Sequence, residues 1–296
     1  MYNGDTTQAE CREIAGPTRP PGEAPVTRRK ALGRTLEVAS KVPDATVAFW
    51  LAKLLTTAMG ESVADALGGT IGRTTALLLG LGAFAAAVTV QLRCRRYSTW
   101  AYWITVAMVG IFGTSAADSL LGIGLPGSTA LYATALALVF VCWHRSESTL
   151  SIHSVNTRRR ELFYWAAVVA TFALGTAVGD LTADTLGLGY LASGVGFAML
   201  MAVPALAFWK FGMNSVLAFW FAYVVTRPAG ASFADWMASP QRRGGLGWGA
   251  PLVGAGLALT VICMIAFMAI TGRDRNARPP AHRAASESTG SLGNRS

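Results

Sequence analysis

The chain has 296 residues, a formal net charge of +9, and a composition in which 52% of the residues are hydrophobic and only 14% are charged. A single water-soluble core of this size cannot bury so much apolar surface, which excludes an ordinary globular protein and indicates an integral membrane protein. The basic residues cluster beside apolar segments, as the positive-inside rule describes, and therefore do not indicate a nucleic-acid-binding surface.

The chain begins and ends with polar segments. Residues 1–40 and 272–296 contain proline, glycine and charges but no apolar run, so we predict two disordered cytoplasmic tails. Between them, residues 41–270 form the predicted transmembrane domain, in which four strongly apolar segments approach the length of about 20 residues that spans a bilayer. These segments are residues 74–91, 128–143, 190–209 and 250–270. Because four less apolar segments alternate with them, we predict an all-α protein of eight transmembrane helices, with both termini cytoplasmic, in a bacterial inner membrane.

Each less apolar segment contains one copy of a short motif. An aromatic residue precedes a Trp, nine residues separate this Trp from a Gly, and four residues separate the Gly from an Asp. The motif residues are Phe49, Trp50, Gly60 and Asp65; Tyr102, Trp103, Gly113 and Asp118; Tyr164, Trp165, Gly175 and Asp180; and Phe219, Trp220, Gly230 and Asp235. Four matches indicate four parallel two-helix repeats, each a motif helix followed by a plain apolar helix. The repeats span about residues 41–94, 95–146, 157–211 and 212–271.

Parallel motif helices bring equivalent residues to the same depth. If the Trp residues are anchors at the inner interface, the motif glycines lie about 15 Å and the aspartates about 22 Å into the bilayer. Small residues at the glycine level indicate either close helix packing or exposed backbone carbonyls, and both alternatives stay open.

Six acidic side chains fall within these motif segments, more than the nearby basic residues can neutralise. They are Glu61, Asp65, Asp118, Asp180, Asp184 and Asp235. Because an ionised carboxylate in lipid is costly, such residues indicate a water-filled cavity, a bound cation or proton exchange. A spacing of four places Glu61 and Asp65 on one helix face, and Asp180 and Asp184 on another.

These two pairs are the predicted principal ligands of a cation or of protons, and the candidate metal ligands. Asp118 and Asp235 are predicted as secondary ligands, and the hydroxyls of Thr114 and Thr176, directly after two of the motif glycines, as further ones. Hard oxygen ligands of this kind suit Mn²⁺, Mg²⁺ or Ca²⁺. Protons shared among the carboxylates are the alternative, and proton-coupled cation transport would combine both.

Two basic residues lie within the motif helices, and both are predicted to balance charge. We expect Lys53 to extend to the cytoplasmic interface, because it lies only three residues past Trp50. Arg227 lies about 10 Å deep, so we expect a carboxylate partner for it. Pro228 follows and is expected to break the fourth motif helix.

Four stretches carry a resemblance to a known family: "KVPDATVAFWLAKLLTTAMGESVAD", "YWITVAMVGIFGTSAADSL", "ATFALGTAVGDLTADTLGLGY" and "FWFAYVVTRPAGASFADW". Together, residues 41–270 resemble the bacterial integral-membrane proteins built from the repeat called domain of unknown function 347. The resemblance implies a polytopic inner-membrane protein of internal repeats and implies no particular activity.

The acidic motif helices predict a transporter or channel-like protein for a cation, with a divalent metal such as manganese and proton coupling as open alternatives. Its expected partners are the lipid bilayer and a small cation, with no nucleic acid and no cofactor. An enzyme is not expected, because the chain has no phosphate loop, nucleophile elbow or metal-hydrolase His pair. A non-transporting membrane scaffold or sensor is the alternative function.

Overall fold

The computed structural model describes residues 40–94 and 96–273, and the predicted tails lie almost wholly outside them. Within the described residues the chain forms eight long helices and no strand. The helices are α1 (Val47–Ile71), α2 (Arg73–Arg93), α3 (Thr99–Ser119), α4 (Leu125–Glu147), α5 (Arg158–Asp180), α6 (Tyr190–Phe211), α7 (Ser215–Ala238) and α8 (Ala250–Thr271). The motif helices are therefore α1, α3, α5 and α7, and the plain apolar helices are α2, α4, α6 and α8.

Seven of these eight helices are long and apolar enough to cross a membrane, which suggests a multi-pass membrane protein. The remaining one is α1, which has 25 residues but carries Lys53, Glu61 and Asp65. Its length of about 37 Å would span a bilayer. Eight helices among the described residues are thus long enough to span a bilayer, and seven of them are also apolar enough.

The four motif helices form a closed ring. Each contacts the next motif helix along the chain, and α7 contacts α1. In α3, α5 and α7, 61–72% of the most apolar stretch is buried, whereas the corresponding value for the outer helices is 11–28%. The motif helices therefore form the interior of the protein, and the plain helices surround them with apolar surface.

Each outer helix packs mainly on the motif helix of the following repeat rather than on its own. Helix α2 packs on α3, α4 on α5 and α6 on α7, while α8 returns to pack on α1. Every outer helix begins directly after a glycine whose φ lies between +76° and +86°, a conformation that residues with a β-carbon rarely adopt. These glycines are Gly72, Gly124, Gly189 and Gly249. The predicted two-helix repeats are thus not separate packing units, because the outer helix that covers each motif helix belongs to the preceding copy.

The aromatic pairs of the motif join the ring helices near their first turns. In every case the aromatic residue of one copy contacts the Trp of the next copy. The ring centroids are 5.6 Å apart for Phe49–Trp103, 5.8 Å for Tyr102–Trp165, 6.1 Å for Tyr164–Trp220 and 5.7 Å for Phe219–Trp50. We call these eight residues the aromatic belt.

Burial in the aromatic belt corrects one expectation from the sequence. Trp103, Trp165 and Trp220 are buried, with at most 5% of their surface exposed. The assumption that they anchor the chain in the lipid interface is therefore wrong for these three residues. Packing between helices explains their position, because edge and tilted contacts between aromatic rings stabilise an interior.

The motif glycines lie where neighbouring ring helices are closest. A β-carbon on Gly60 would lie 2.8 Å from backbone atoms of Gly110, and one on Gly230 would lie 2.6 Å from the methyl group of Thr57. A β-carbon on Gly113 or Gly175 would overlap the side chain opposite, Phe172 or Arg227 respectively. In all four contacts the opposing residue lies three positions before the motif glycine of the next helix. This geometry corresponds to the packing alternative for the glycines.

The Gly60 contact predicts a stability loss from one methyl group. The backbone of Gly110 cannot move aside as a side chain could, so Gly60→Ala should lower the free energy of unfolding by about 1–3 kcal/mol, as overpacking does. Unfolding by sodium dodecyl sulfate in mixed micelles, followed by circular dichroism, measures this change. Gly82→Ala in α2 is the matched control, because a β-carbon there meets no atom within 4 Å. An equal effect of the two substitutions would contradict the close contact.

Candidate functional site

The axis of the ring is filled at the glycine level by the side chain of Arg227, which is fully buried. Its Nη2 donates a hydrogen bond to Oε2 of Glu61 at 2.6 Å, which forms a buried ion pair. Its Nη1 donates to the carbonyl of Thr57 at 2.7 Å, and its Nε donates to the carbonyl of Phe172 at 3.3 Å. The guanidinium thus binds groups from α1 and α5 while it is carried by α7.

Two threonine hydroxyls complete this ion pair. Thr114 of α3 and Thr176 of α5 both accept hydrogen bonds from Nη2 of Arg227. They donate to Oε2 of Glu61 at 3.0 Å and 3.1 Å, respectively. Because all four ring helices contribute a group to this one network, we call it the axial network. A buried ion pair needs such additional hydrogen bonds to offset the loss of water.

Helix α7 continues through Pro228 without a break, from Ser215 to Ala238. The prediction that this proline breaks the fourth motif helix is wrong. An intact helix holds Arg227 and Asp235 on the same rigid element, about two turns apart. This places an acidic group beyond the guanidinium in the direction of the helix C-terminus.

The acidic groups converge one turn beyond the axial network. Glu61, Asp65 and Asp235 each offer a carboxylate oxygen, and these oxygens lie within 4.8 Å of one another. Glu61 is buried, whereas Asp65 and Asp235 are half-buried. Asp118 and Asp180 are also half-buried and interact electrostatically with Glu61. We call these five residues the acidic cluster, and Glu61 belongs to both the cluster and the axial network.

Asp184, predicted as a principal ligand together with Asp180, lies at the periphery. Helix α5 ends at Asp180, and residues Leu181–Thr185 form a π-helical turn, which is wider than an α-helical turn. Asp184 is exposed, and its Oδ2 accepts a hydrogen bond from the hydroxyl of Tyr190 at 3.3 Å. Asp184 still interacts electrostatically with Asp180, while Asp235 stands beside Glu61 and Asp65.

Lys53 lies inside the ring, and the expectation that it extends to the interface is wrong. Its side chain is fully buried. Its Nζ lies 4.0 Å from the ring centroid of Phe172 and 4.2 Å from that of Tyr223. Among the described residues this nitrogen has no hydrogen-bond partner. The aromatic belt explains the change of direction, because its packed rings occupy the space toward the helix N-termini.

A group of tyrosines near Lys53 was not predicted from the sequence. The hydroxyls of Tyr102 and Tyr164 are 2.5 Å apart, whereas the hydroxyl of Tyr223 has no hydrogen-bond partner among the described residues. All three residues are fully buried. Tyr102 and Tyr164 are the aromatic residues of motif copies two and three, so their position in the motif was a usable signal. Tyr223 lies three residues after Trp220, as Lys53 does after Trp50.

The fold and the site define a helical repeat protein of membrane-spanning composition, with four inner helices around a buried polar axis. The chain belongs to the family described as Repeat of Unknown Function (DUF347), whose repeat matches residues 48–97, 101–149, 163–213 and 218–274. The predicted four-copy membership is thereby confirmed. Comparisons with curated proteins and with solved structures found no match.

The axial network predicts strong coupling between Glu61 and Arg227. Arg227→Met leaves a buried carboxylate without its partner and should lower the free energy of unfolding by about 3–5 kcal/mol. The double variant Glu61→Gln, Arg227→Met should recover most of that loss, because neither charge then remains buried alone. Unfolding by sodium dodecyl sulfate measures all variants of this cycle.

Arg159→Met is the control for this cycle, because Arg159 pairs with Glu147 while 67% of its side chain is exposed. Its loss should change stability by at most about 1 kcal/mol. Additive losses for Glu61 and Arg227 would contradict the pairing.

Proposed function

We propose that the protein transports a small cation across the bacterial inner membrane, which it crosses with eight helices and with both termini in the cytoplasm. The observation that supports this proposal best is the convergence of the carboxylates of Glu61, Asp65 and Asp235 within 4.8 Å. Carboxylates that bind no ligand are not expected to lie this close together inside a membrane, because like charges repel. A cation bound among them removes that cost. We propose no catalytic activity and no cofactor.

The acidic cluster fits a hard divalent cation. Three carboxylates from α1 and α7 supply oxygen ligands, and their separation leaves room for an ion between them. Mn²⁺, Mg²⁺ and Ca²⁺ prefer such oxygen donors, whereas zinc and copper favour histidine or thiolate ligands. We therefore propose a divalent metal of the first group as the substrate, with Mn²⁺ as the first probe.

Arg227 supports a carrier rather than an open channel. Its guanidinium fills the axis and binds Oε2 of Glu61, the oxygen that a cation entering the cluster would also seek. Cation and guanidinium therefore compete for one carboxylate. A protein that alternates between an Arg227-bound and a cation-bound Glu61 exchanges two discrete states, as transport by alternating access requires.

A non-transporting scaffold or sensor is the second candidate. It is favoured by the axial network, in which both charges are paired and hydrogen-bonded in the manner of a rigid structural core. Such a protein would show no cation flux in any variant. Acid substitutions would then change only its stability or its binding to a partner.

The proposed metal site is testable with three matched substitutions of Asp by Asn. Asp65→Asn and Asp235→Asn should each weaken Mn²⁺ binding by about tenfold or more, because each removes a charged oxygen ligand. Asp184→Asn is the control, since Asp184 is exposed and bonded to Tyr190. Isothermal titration of protein in nanodiscs measures binding. Mn²⁺ entry into proteoliposomes that contain a fluorescent indicator measures transport.

Two results would contradict the proposal. If the wild-type protein binds Mn²⁺, Mg²⁺ and Ca²⁺ no better than empty nanodiscs and moves none of them, the scaffold alternative replaces it. If Asp184→Asn impairs Mn²⁺ uptake as strongly as Asp235→Asn, the site lies elsewhere than at Glu61, Asp65 and Asp235.

A further inference from the structure

Lys53 is an enclosed amine without a counter-ion. Its Nζ faces the rings of Phe172 and Tyr223 and has no hydrogen-bond partner among the described residues. Contact with aromatic rings attracts an ammonium group but replaces only part of the hydration that burial removes. Lysine at such a position is unusual, because a leucine or methionine would fill the same space without this cost. The amine therefore calls for a role beyond packing.

Lys53 is electrostatically linked to the acidic cluster through Arg227. The guanidinium carbon of Arg227 lies 4.9 Å from the ring centroid of Phe172, and Nζ of Lys53 lies 4.0 Å from the same centroid. The two basic groups interact directly by charge repulsion. In the observed state the carboxylate of Glu61 offsets the charge of Arg227. A cation that takes this carboxylate leaves the guanidinium unbalanced and so increases its repulsion of a charged Lys53.

Two ionisable side chains of α7 act on Lys53. They are Arg227, through its charge, and Tyr223, through contact with its ring. The outer helices that pack on α1 add no charge nearby, since α8 contains no charged residue and the two arginines of α2, Arg73 and Arg93, lie at its exposed ends. Arg227 is thus the charged side chain that acts on Lys53.

Three buried tyrosines lie on the side of Lys53 toward the helix N-termini. The ring of Tyr223 contacts Nζ of Lys53, and the hydroxyls of Tyr102 and Tyr164 are 2.5 Å apart, whereas the hydroxyl of Tyr223 has no hydrogen-bond partner among the described residues. Tyr223 therefore contacts Lys53 through its ring and gives the amine no hydrogen bond. Tyr102 and Tyr164 belong to the aromatic belt, which lies at the proposed cytoplasmic end of the ring.

From this geometry we propose that Lys53 is the proton-binding group of a cation–proton exchange. The inference rests on the proposed transport function and adds its coupling ion. When a cation binds Glu61, an N–H bond of the Lys53 ammonium breaks and the proton is transferred to water, while the nitrogen keeps the electron pair. When the cation leaves, Arg227 pairs with Glu61 again and Lys53 takes up a proton. Cation binding and proton binding thus exclude each other.

Proton release on metal binding tests this inference. Wild-type protein in nanodiscs, in weakly buffered solution with a pH-sensitive dye, should release protons when Mn²⁺ is added. Lys53→Met should still bind Mn²⁺ but release one proton fewer per ion, because the apolar side chain carries none. Lys210→Met is the control, since Lys210 is exposed at the end of α6, and it should release as many protons as the wild type.

A second measurement needs no substitution. The chain has only four lysines, Lys30, Lys41, Lys53 and Lys210, so carbon-13 labelling of their ε-carbons gives few signals. One of these four signals should change from its ammonium to its amine position when Mg²⁺, a diamagnetic ion, is added at constant pH, while the other three stay at their ammonium positions. Failure of this change overturns the role of Lys53, also where the Met variant does not fold.

The outcomes separate the two proposals. Mn²⁺ binding by the wild type with equal proton release from Lys53→Met overturns the proton site and leaves the metal site intact. No binding of either ion by the wild type overturns the transport function, and the exchange with it.

Discussion

The ion pair between Arg227 and Glu61 joins the last repeat to the first, and the rest of the structure depends on it. Thr114 and Thr176 of the middle repeats bond to both partners, so every copy contributes to one junction. Burying two charges costs several kcal/mol for each ion, and only complete pairing offsets this cost. The copies must therefore differ on the axis. Four identical glutamates there would repel one another, and four identical threonines would leave the axis without an ion pair.

This requirement separates two kinds of residues within one motif. The contacts between neighbouring copies are alike all around the ring: each motif aromatic residue meets the next Trp, and each motif glycine meets the next helix. Those positions are retained in all four copies because the same lateral contact is made four times. The axial groups follow the glycine in the first three copies, as Glu61, Thr114 and Thr176, but Arg227 of the fourth copy lies three residues before its glycine, and at these axial positions the copies are not all alike. Comparison of the four internal copies thus distinguishes positions used for helix packing from positions of the candidate site, and it needs no sequence of a related protein.

The sequence was sufficient to predict the repeats, their parallel direction and the meeting of Glu61 with Asp65, because a motif of fixed spacing on a helix determines depth and face. It was not sufficient to predict that an outer helix covers the next motif helix, since the same apolar face fits either neighbour. The direction of Lys53 depended on aromatic rings from other copies, which spacing within α1 does not describe. The spacing of Asp184 from Asp180 assumes an α-helix and so did not predict the π-helical turn in which Asp184 is exposed.

The parallel ring also gives the axis an electrical direction that favours a cation at the acidic end. The α-helical parts of α3 and α5 end at Ser119 and Asp180, so their motif aspartates lie in the last turn. A helix C-terminus carries the negative end of the macrodipole, and parallel helices bring these ends together. The negative potential of the backbone therefore adds to that of the carboxylates, while Lys53 lies toward the N-terminus of α1 and Arg227 at the middle of α7. An acidic cluster in this setting is most stable when a positive charge is bound in it. Arg227 supplies that charge on one side only, so the half-buried aspartates on the other side keep a negative potential that the proposed cation would offset.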